Sequence, residues 1–307
     1  MLLIFESVLP IFLLVLFGIA LRRAPFIDQN LWTGLEQLGF YVLFPSLLFI
    51  TLARTDFAAI PTGVITVVTL SAVLITCALT WLSWPLFKRI GVPASSFTTI
   101  FQTTTRWNGF VALAVADKLV GQAGLTIIAL VMAVIIVPIN IINVVMLEWF
   151  SGRPRNHKAL MIRIVTNPLI LSSLAGVVVS LSGISIYEPL MTAIDLVSRS
   201  ALSLGLIMVG AGLVIADALR PSRLVVIPVI LKLFAFPALM VGIGMLAGVK
   251  GMELSMLALA ASVPTAMNGY LLAKKMGGDA QLYSAVATVQ TAVSFISIPL
   301  ILLMVGG

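Results

Sequence analysis

The sequence is poor in charge. Only 9% of its 307 residues are Asp, Glu, Lys or Arg, against about 25% in an ordinary soluble domain, and this excludes a water-soluble globular fold. A single cysteine, Cys77, excludes an intrachain disulfide and a cysteine cluster for metal. His157 is the single histidine, so no second imidazole accompanies it as a metal ligand, and it reads as a solvated loop residue. There is no Walker loop and no Gly-x-Ser-x-Gly element, which leaves ATP-driven pumping and serine hydrolysis without support. The alternation of a membrane β-barrel is missing too. No cofactor is called for.

What is present is apolar. Hydrophobic residues make up 61% of the chain, and runs of about 20 of them, the length of a helical span, recur from end to end. Candidate spans are 2–21, 33–53, 62–87, 94–117, 121–149, 162–182, 191–216, 222–248, 254–274 and 280–305. The first has no basic region before its apolar core and has Arg22 and Arg23 after it, so it reads as a retained helix and not a cleaved signal peptide. The expected fold is an all-α membrane protein with ten transmembrane helices, partnered by the lipid bilayer.

The net charge of +7 does not describe a nucleic-acid surface, because the basic residues fall in short clusters between spans. One set of alternate connections holds twelve of them: Arg22, Arg23, Lys88, Arg89, Arg153, Arg155, Lys158, Arg163, Arg220, Arg223, Lys274 and Lys275. The other set holds three, Arg54, Lys118 and Lys250. By the positive-inside rule both termini are expected outside the cytoplasm. Arg106, Arg199 and Lys232 remain, each within a span.

One polar break interrupts the fourth span at Thr105-Arg106-Trp107-Asn108-Gly109-Phe110, and 160 residues later the ninth span carries Thr265-Ala266-Met267-Asn268-Gly269-Tyr270. Other pairs recur at similar offsets: Pro10 with Pro168, Gly18 with Gly176, Glu36 with Asp195, Pro138 with Pro299. The chain therefore divides into a repeat at 1–150, a cytoplasmic linker at 151–161 and a second repeat at 162–307. Five spans per half force the second copy to insert upside down, the arrangement of secondary transporters with a midplane site between the halves.

The breaks suit an anion. Gly109 and Gly269 weaken the helix and Pro264 lacks an amide hydrogen. Half-helix N-termini present partial positive charge, and Asn108 and Asn268 both donate and accept hydrogen bonds. The same residues would equally let two helices cross closely. Arg106 either holds a carboxylate with its fork, snorkels, or pairs with Glu36. Glu36 and Asp195 serve as ion carriers or as stabilisers of their helix dipoles, and Asp195 with Arg199 four residues on fits a local ion pair. Lys232 is expected to snorkel toward the cytoplasmic end. Gln290, Thr291, Ser294, Asn140 and Asn143 line a path, Gln290 as an ion-coupling candidate, or hold helices together. Pro45-Ser46 and the run Gly205, Gly210, Gly212 read as kink and close-packing devices.

Phe44-Pro45-Ser46-Leu47-Leu48-Phe49, Asn167-Pro168-Leu169-Ile170, Leu202 to Leu213 and Ser262 to Leu300 resemble the auxin efflux carrier family over nearly the whole chain. That family includes plant auxin exporters and bacterial malate and malonate permeases. The resemblance implies two inverted five-helix repeats like the sodium/bile-acid symporter fold, with broken fourth and ninth helices that cross. It implies a scaffold part and a transport part that move against each other, with Asn108 and Pro264 to Asn268 at the crossover. The missing long central loop is similar to the short bacterial members of the inner membrane. Many relatives have a glycine-proline pair after the first asparagine, where this chain has Val111-Ala112-Leu113-Ala114, so the first break is expected to be the weaker.

The expected function is transport of a small organic anion, a mono- or dicarboxylate, by alternating access, bound by Thr105, Arg106, Asn108, Gly109, Pro264, Thr265, Asn268 and Gly269. The alternative is a sodium- or proton-coupled symporter of a neutral or zwitterionic solute. A coupling cation, Na+ or H+, and a homodimer are compatible with either. Catalytic and metal sites are not expected.

Overall fold

The structure, a computed structural model, describes residues 2–55, 62–151, 162, 165–218, 223–267 and 269–306. The expected linker lies, apart from Ser151, outside the described residues, and so do His157 and Asn268. Regular structure among the described residues is helical throughout. In chain order the helices are α1 Leu2–Arg23, α2 Asn30–Leu38, α3 Phe44–Ala53, α4 Thr62–Leu82, α5 Trp84–Arg89, α6 Ala94–Thr105, α7 Gly109–Val120 and α8 Gln122–Ser151. They continue as α9 Pro168–Ser182, α10 Glu188–Gly212, α11 Ile215–Ala218, α12 Arg223–Ile230, α13 Phe236–Leu246, α14 Gly251–Ser262, α15 Gly269–Met276 and α16 Ala280–Gly306.

Lipid offers no partner to a backbone amide, so spanning segments satisfy themselves as helices. Among the described residues six runs are long and apolar enough to cross: Asn30–Ala53, Thr62–Arg89, Gln122–Phe150, Glu188–Gly212, Arg223–Leu246 and Ala280–Gly306. α9 and α14 are shorter apolar helices. The expected kink at Pro45 takes a specific form. α2 passes into α3 through a wide turn, Gly39–Leu43, where the Phe44 amide bonds to the Gly39 carbonyl. α12 passes into α13 in the same way through Leu231–Ala235, with the Phe236 amide on the Leu231 carbonyl. Each wide turn comes just before a proline, Pro45 or Pro237, whose missing amide hydrogen disturbs the ordinary ladder.

α6 is the least lipid-like of the long elements. Its sequence ASSFTTIFQTTT is rich in hydroxyls, yet every residue from Ser96 to Thr105 is buried. The hydroxyls fold back onto the helix, Thr103 to the Thr99 carbonyl at 2.8 Å and Thr105 to the Phe101 carbonyl at 2.9 Å. α4, α8, α12 and α16 pack around it. A polar helix is thus enclosed by a wall of other helices. At one end the wall is aromatic, with Trp84, Phe87 and Phe150 each packed against the ring of Phe97 on α6.

Glycines set the closest helix contacts. A Cβ on Gly18 of α1 would overlap the Ile207 carbonyl of α10, and one on Gly210 of α10 would overlap the Val15 carbonyl of α1. Gly176 of α9 meets the Phe49 carbonyl of α3 in the same manner, with a Cβ placed 2.7 Å from that oxygen. Backbones this close admit no side chain between them. Gly210→Val should therefore separate α1 from α10 and lower stability by about 1–3 kcal/mol, read as an earlier thermal unfolding transition in detergent.

Candidate functional site

The expected fourth and ninth spans are each two half-helices. α6 ends at Thr105, and Arg106, Trp107 and Asn108 run without helical structure before α7 begins. α14 ends at Ser262, and Val263 to Met267 separate it from α15, which begins at Gly269. The first break is the shorter, as the run Val111 to Ala114 led one to expect. The two meet through the main chain, where the Asn108 amide donates to the Pro264 carbonyl at 3.0 Å. The Trp107 indole also crosses, donating to the Ala260 carbonyl of α14 at 2.6 Å.

Asn108 caps α7. Its Oδ1 accepts from the Val111 amide at 3.3 Å, while its Nδ2, in a side chain only 1% exposed, has no hydrogen-bond partner among the described residues. A buried amide donor of this kind can be met by a ligand or by an ordered water. Arg106 terminates α6, its amide bonding to the Gln102 carbonyl at 2.8 Å, and it too is buried, 6% exposed. Gly109 lies against Trp107 and Met132, and Gly269 against the Tyr283 ring, where a Cβ would overlap the ring and its hydroxyl.

The second break is tied down from α16. The Tyr283 hydroxyl donates to the Ala266 carbonyl at 2.6 Å, so at the 3.0 Å contact between them Thr265 Oγ1 is the donor. Gln290 is fully buried and uses its whole amide: Oε1 accepts from the Thr265 amide at 2.9 Å, and Nε2 donates to the Thr103 carbonyl at 3.1 Å and the Pro228 carbonyl at 2.9 Å. It thereby joins α6, α12 and the second break at one point. Thr105 is held by Asn143 of α8, whose Nδ2 donates to Thr105 Oγ1 at 3.1 Å and to the Ile139 carbonyl at 2.8 Å. Asp279, ahead of α16, accepts from the Ser96 hydroxyl at 2.9 Å and from the Leu282 amide at 3.0 Å, and so pins the start of α6 to the start of α16.

Of the residues expected at the site, Thr105, Arg106, Asn108, Gly109, Pro264, Thr265 and Gly269 stand at or beside the breaks; Asn268 lies outside the described residues. Glu36 and Asp195 do not join them. Glu36 is exposed on α2. Asp195 is bonded by Arg199 at 2.7 and 3.0 Å, the local pair its spacing suggested. That pair lines a separate cavity of about 300 Å³ with Thr51, Arg54, Asp117 and Gln122, between α3 and α10 on one side and α7 and α8 on the other. Lys232 does not snorkel. It lies in the wide turn Leu231–Ala235 and is 0% exposed. Sequence reasoning passed over Tyr283 and Asp279, since a residue that fixes a break from a neighbouring helix carries no local signal.

A family model described as membrane transport protein matches residues 3–302. The chain belongs to that family. It is the family of auxin-efflux-carrier-like transporters, and the protein is a multi-pass membrane transporter, not an enzyme. Among curated relatives it is similar to a protein named uncharacterized transporter YfdV from Escherichia coli strain K12, 22% identical over 298 residues, covering 94% of this chain and 92% of that protein. The same values hold for YfdV of Escherichia coli O157:H7 and of Shigella flexneri. For this transporter, α6 and α7 with α14 and α15 are the two interrupted helices around which the buried polar groups gather.

Proposed function

We propose that this transporter is a secondary carrier of small organic anions, mono- or dicarboxylates, which bind where the two breaks meet and cross by alternating access. One observation carries the reading: the Nδ2 of Asn108, in a side chain 1% exposed at the first break, has no hydrogen-bond partner among the described residues, and a carboxylate oxygen accepts such hydrogens. Arg106, buried at the same break, and the N-terminal ends of α7 and α15 add attraction for an anion. Arg106 neutralises the cargo, Asn108 and Asn268 hydrogen-bond it, and Thr105, Thr265, Gly109, Pro264 and Gly269 shape the crossing.

The proposed architecture is ten transmembrane helices in two inverted repeats, residues 1–150 and 162–307, in a bacterial inner membrane with both termini on the non-cytoplasmic side. The glycine contacts support the inversion, since Gly18 and Gly176 occupy matching places in the repeats and each brings its helix against an element of the other half. α1, α3, α9 and α10 then form a scaffold, and the elements bearing the breaks form the part that moves. The 300 Å³ cavity between α3 with α10 and α7 with α8 is a vestibule at that boundary.

The test is a thermal-shift screen of the purified protein against malonate, malate and indole-3-acetate, with and without sodium. A ligand that binds the native state raises its apparent stability by mass action. Stabilisation by a carboxylate, reduced by about tenfold in apparent affinity in Asn108→Ala through loss of its hydrogen bonds, is the expected result. A shift with sodium or a neutral solute alone refutes the anion reading.

A further inference from the structure

Lys232 presents a problem that the site just described does not resolve. Its side chain is fully buried, and its Nζ has no hydrogen-bond partner among the described residues. The ring of Phe236, one turn on, lies 4.4 Å from the amine. An aromatic face attracts an ammonium, but by far less than burial of an unpaired charge disfavours it. The wide turn that holds Lys232 packs against α6, α12, α13, α14 and α16. Those elements bring Arg106 at the end of α6, Arg223 at the start of α12, Glu253 in the first turn of α14 and Tyr283 near the start of α16. α4, packed against α13, adds the buried thiol of Cys77. No buried carboxylate stands among them.

An ammonium so placed is relieved in two ways: by giving up its proton, or by the arrival of an anion nearby. The two are then linked, because an anion makes the protonated amine the favoured form and a proton makes the anion more welcome. Lys232 is also mechanically joined to the breaks. Gln290 holds the Pro228 carbonyl, one turn before Lys232, together with the Thr103 carbonyl of α6 and the Thr265 amide of the second break.

We propose that Lys232 is the proton carrier of the transport cycle: its amine takes up a proton from solvent as the organic anion binds and returns it as the anion leaves, so that anion and proton cross together. The step is a Brønsted equilibrium at Nζ, whose lone pair accepts the proton, and it requires no other reactant. The inference rests on the anion reading above, and its test separates the two. Calorimetric titration of the intact purified protein with malonate, malate or indole-3-acetate near neutral pH, in two buffers of different ionisation enthalpy, counts protons per anion. The wild type should take up about one proton per anion. Lys232→Met and Lys232→Arg, one uncharged and one permanently charged, should take up none, with Lys232→Met also binding severalfold more weakly. Cys77→Ser should keep the wild-type count. Binding by the wild type without proton uptake, or an unchanged count in either lysine variant, overturns the role of Lys232 and leaves the anion reading standing. Loss of the proton count in Cys77→Ser with its retention in Lys232→Met assigns the proton to the thiol and likewise overturns it. Failure of every anion to bind the wild type overturns the anion reading, and this inference with it.

Discussion

Replacing Arg106 with alanine is expected to abolish carboxylate binding while leaving the protein folded. The side chain ends α6 at the first break and is buried beside Asn108, away from water that could screen it. A carboxylate deprived of a buried partner charge loses about 3–5 kcal/mol, more than about 100-fold in Kd. Arg106→Lys should recover only part of this, because an ammonium is a point charge and lacks the planar fork that grips both carboxylate oxygens. Binding measured by calorimetry on monodisperse protein decides the matter. Wild-type affinity in a well-folded Arg106→Ala would remove the residue from the site and leave its burial to a structural partner.

Gln290→Ala is expected to be the most destabilising of the site substitutions. Three backbone groups, the Thr265 amide and the Thr103 and Pro228 carbonyls, depend on this one amide. Each buried group left without a partner costs about 1–3 kcal/mol, so the loss amounts to several kcal/mol. Anion binding should fall with it even though Arg106 and Asn108 are intact, since the second break loses its anchor on α16. Gln290→Glu should not rescue, because a carboxylate has no hydrogens to give the two carbonyls. An unchanged Tm in Gln290→Ala would mean that the breaks are held by something other than this side chain.

The helices and the places where they break were legible because each leaves a local mark. Long apolar runs mark the spans, and Asn-Gly in register at 108–109 and 268–269, with Pro264, marks the interruptions. What holds the breaks was not legible. Gln290 was one of several polar residues in spans that either lined a path or joined helices, and only the neighbours it meets in space show its amide fully engaged with three elements. Tyr283 has no counterpart in the first half to draw notice. Lys232 misled for a different reason: hydropathy tells how apolar a helix is and nothing of which way one residue points. Asp195, by contrast, was readable from spacing alone, since a salt bridge to the residue four on needs only a helix.

The bond between the Asn108 amide and the Pro264 carbonyl has a consequence for how such a protein diversifies. It is made by main-chain atoms, as are the groups that Gln290 holds. The crossing therefore survives replacement of most side chains around it. Side chains at the crossing can then be exchanged one at a time without rebuilding the backbone that presents them. Should cargo bind there as proposed, a change of cargo needs no change in the main-chain bond that joins the two breaks.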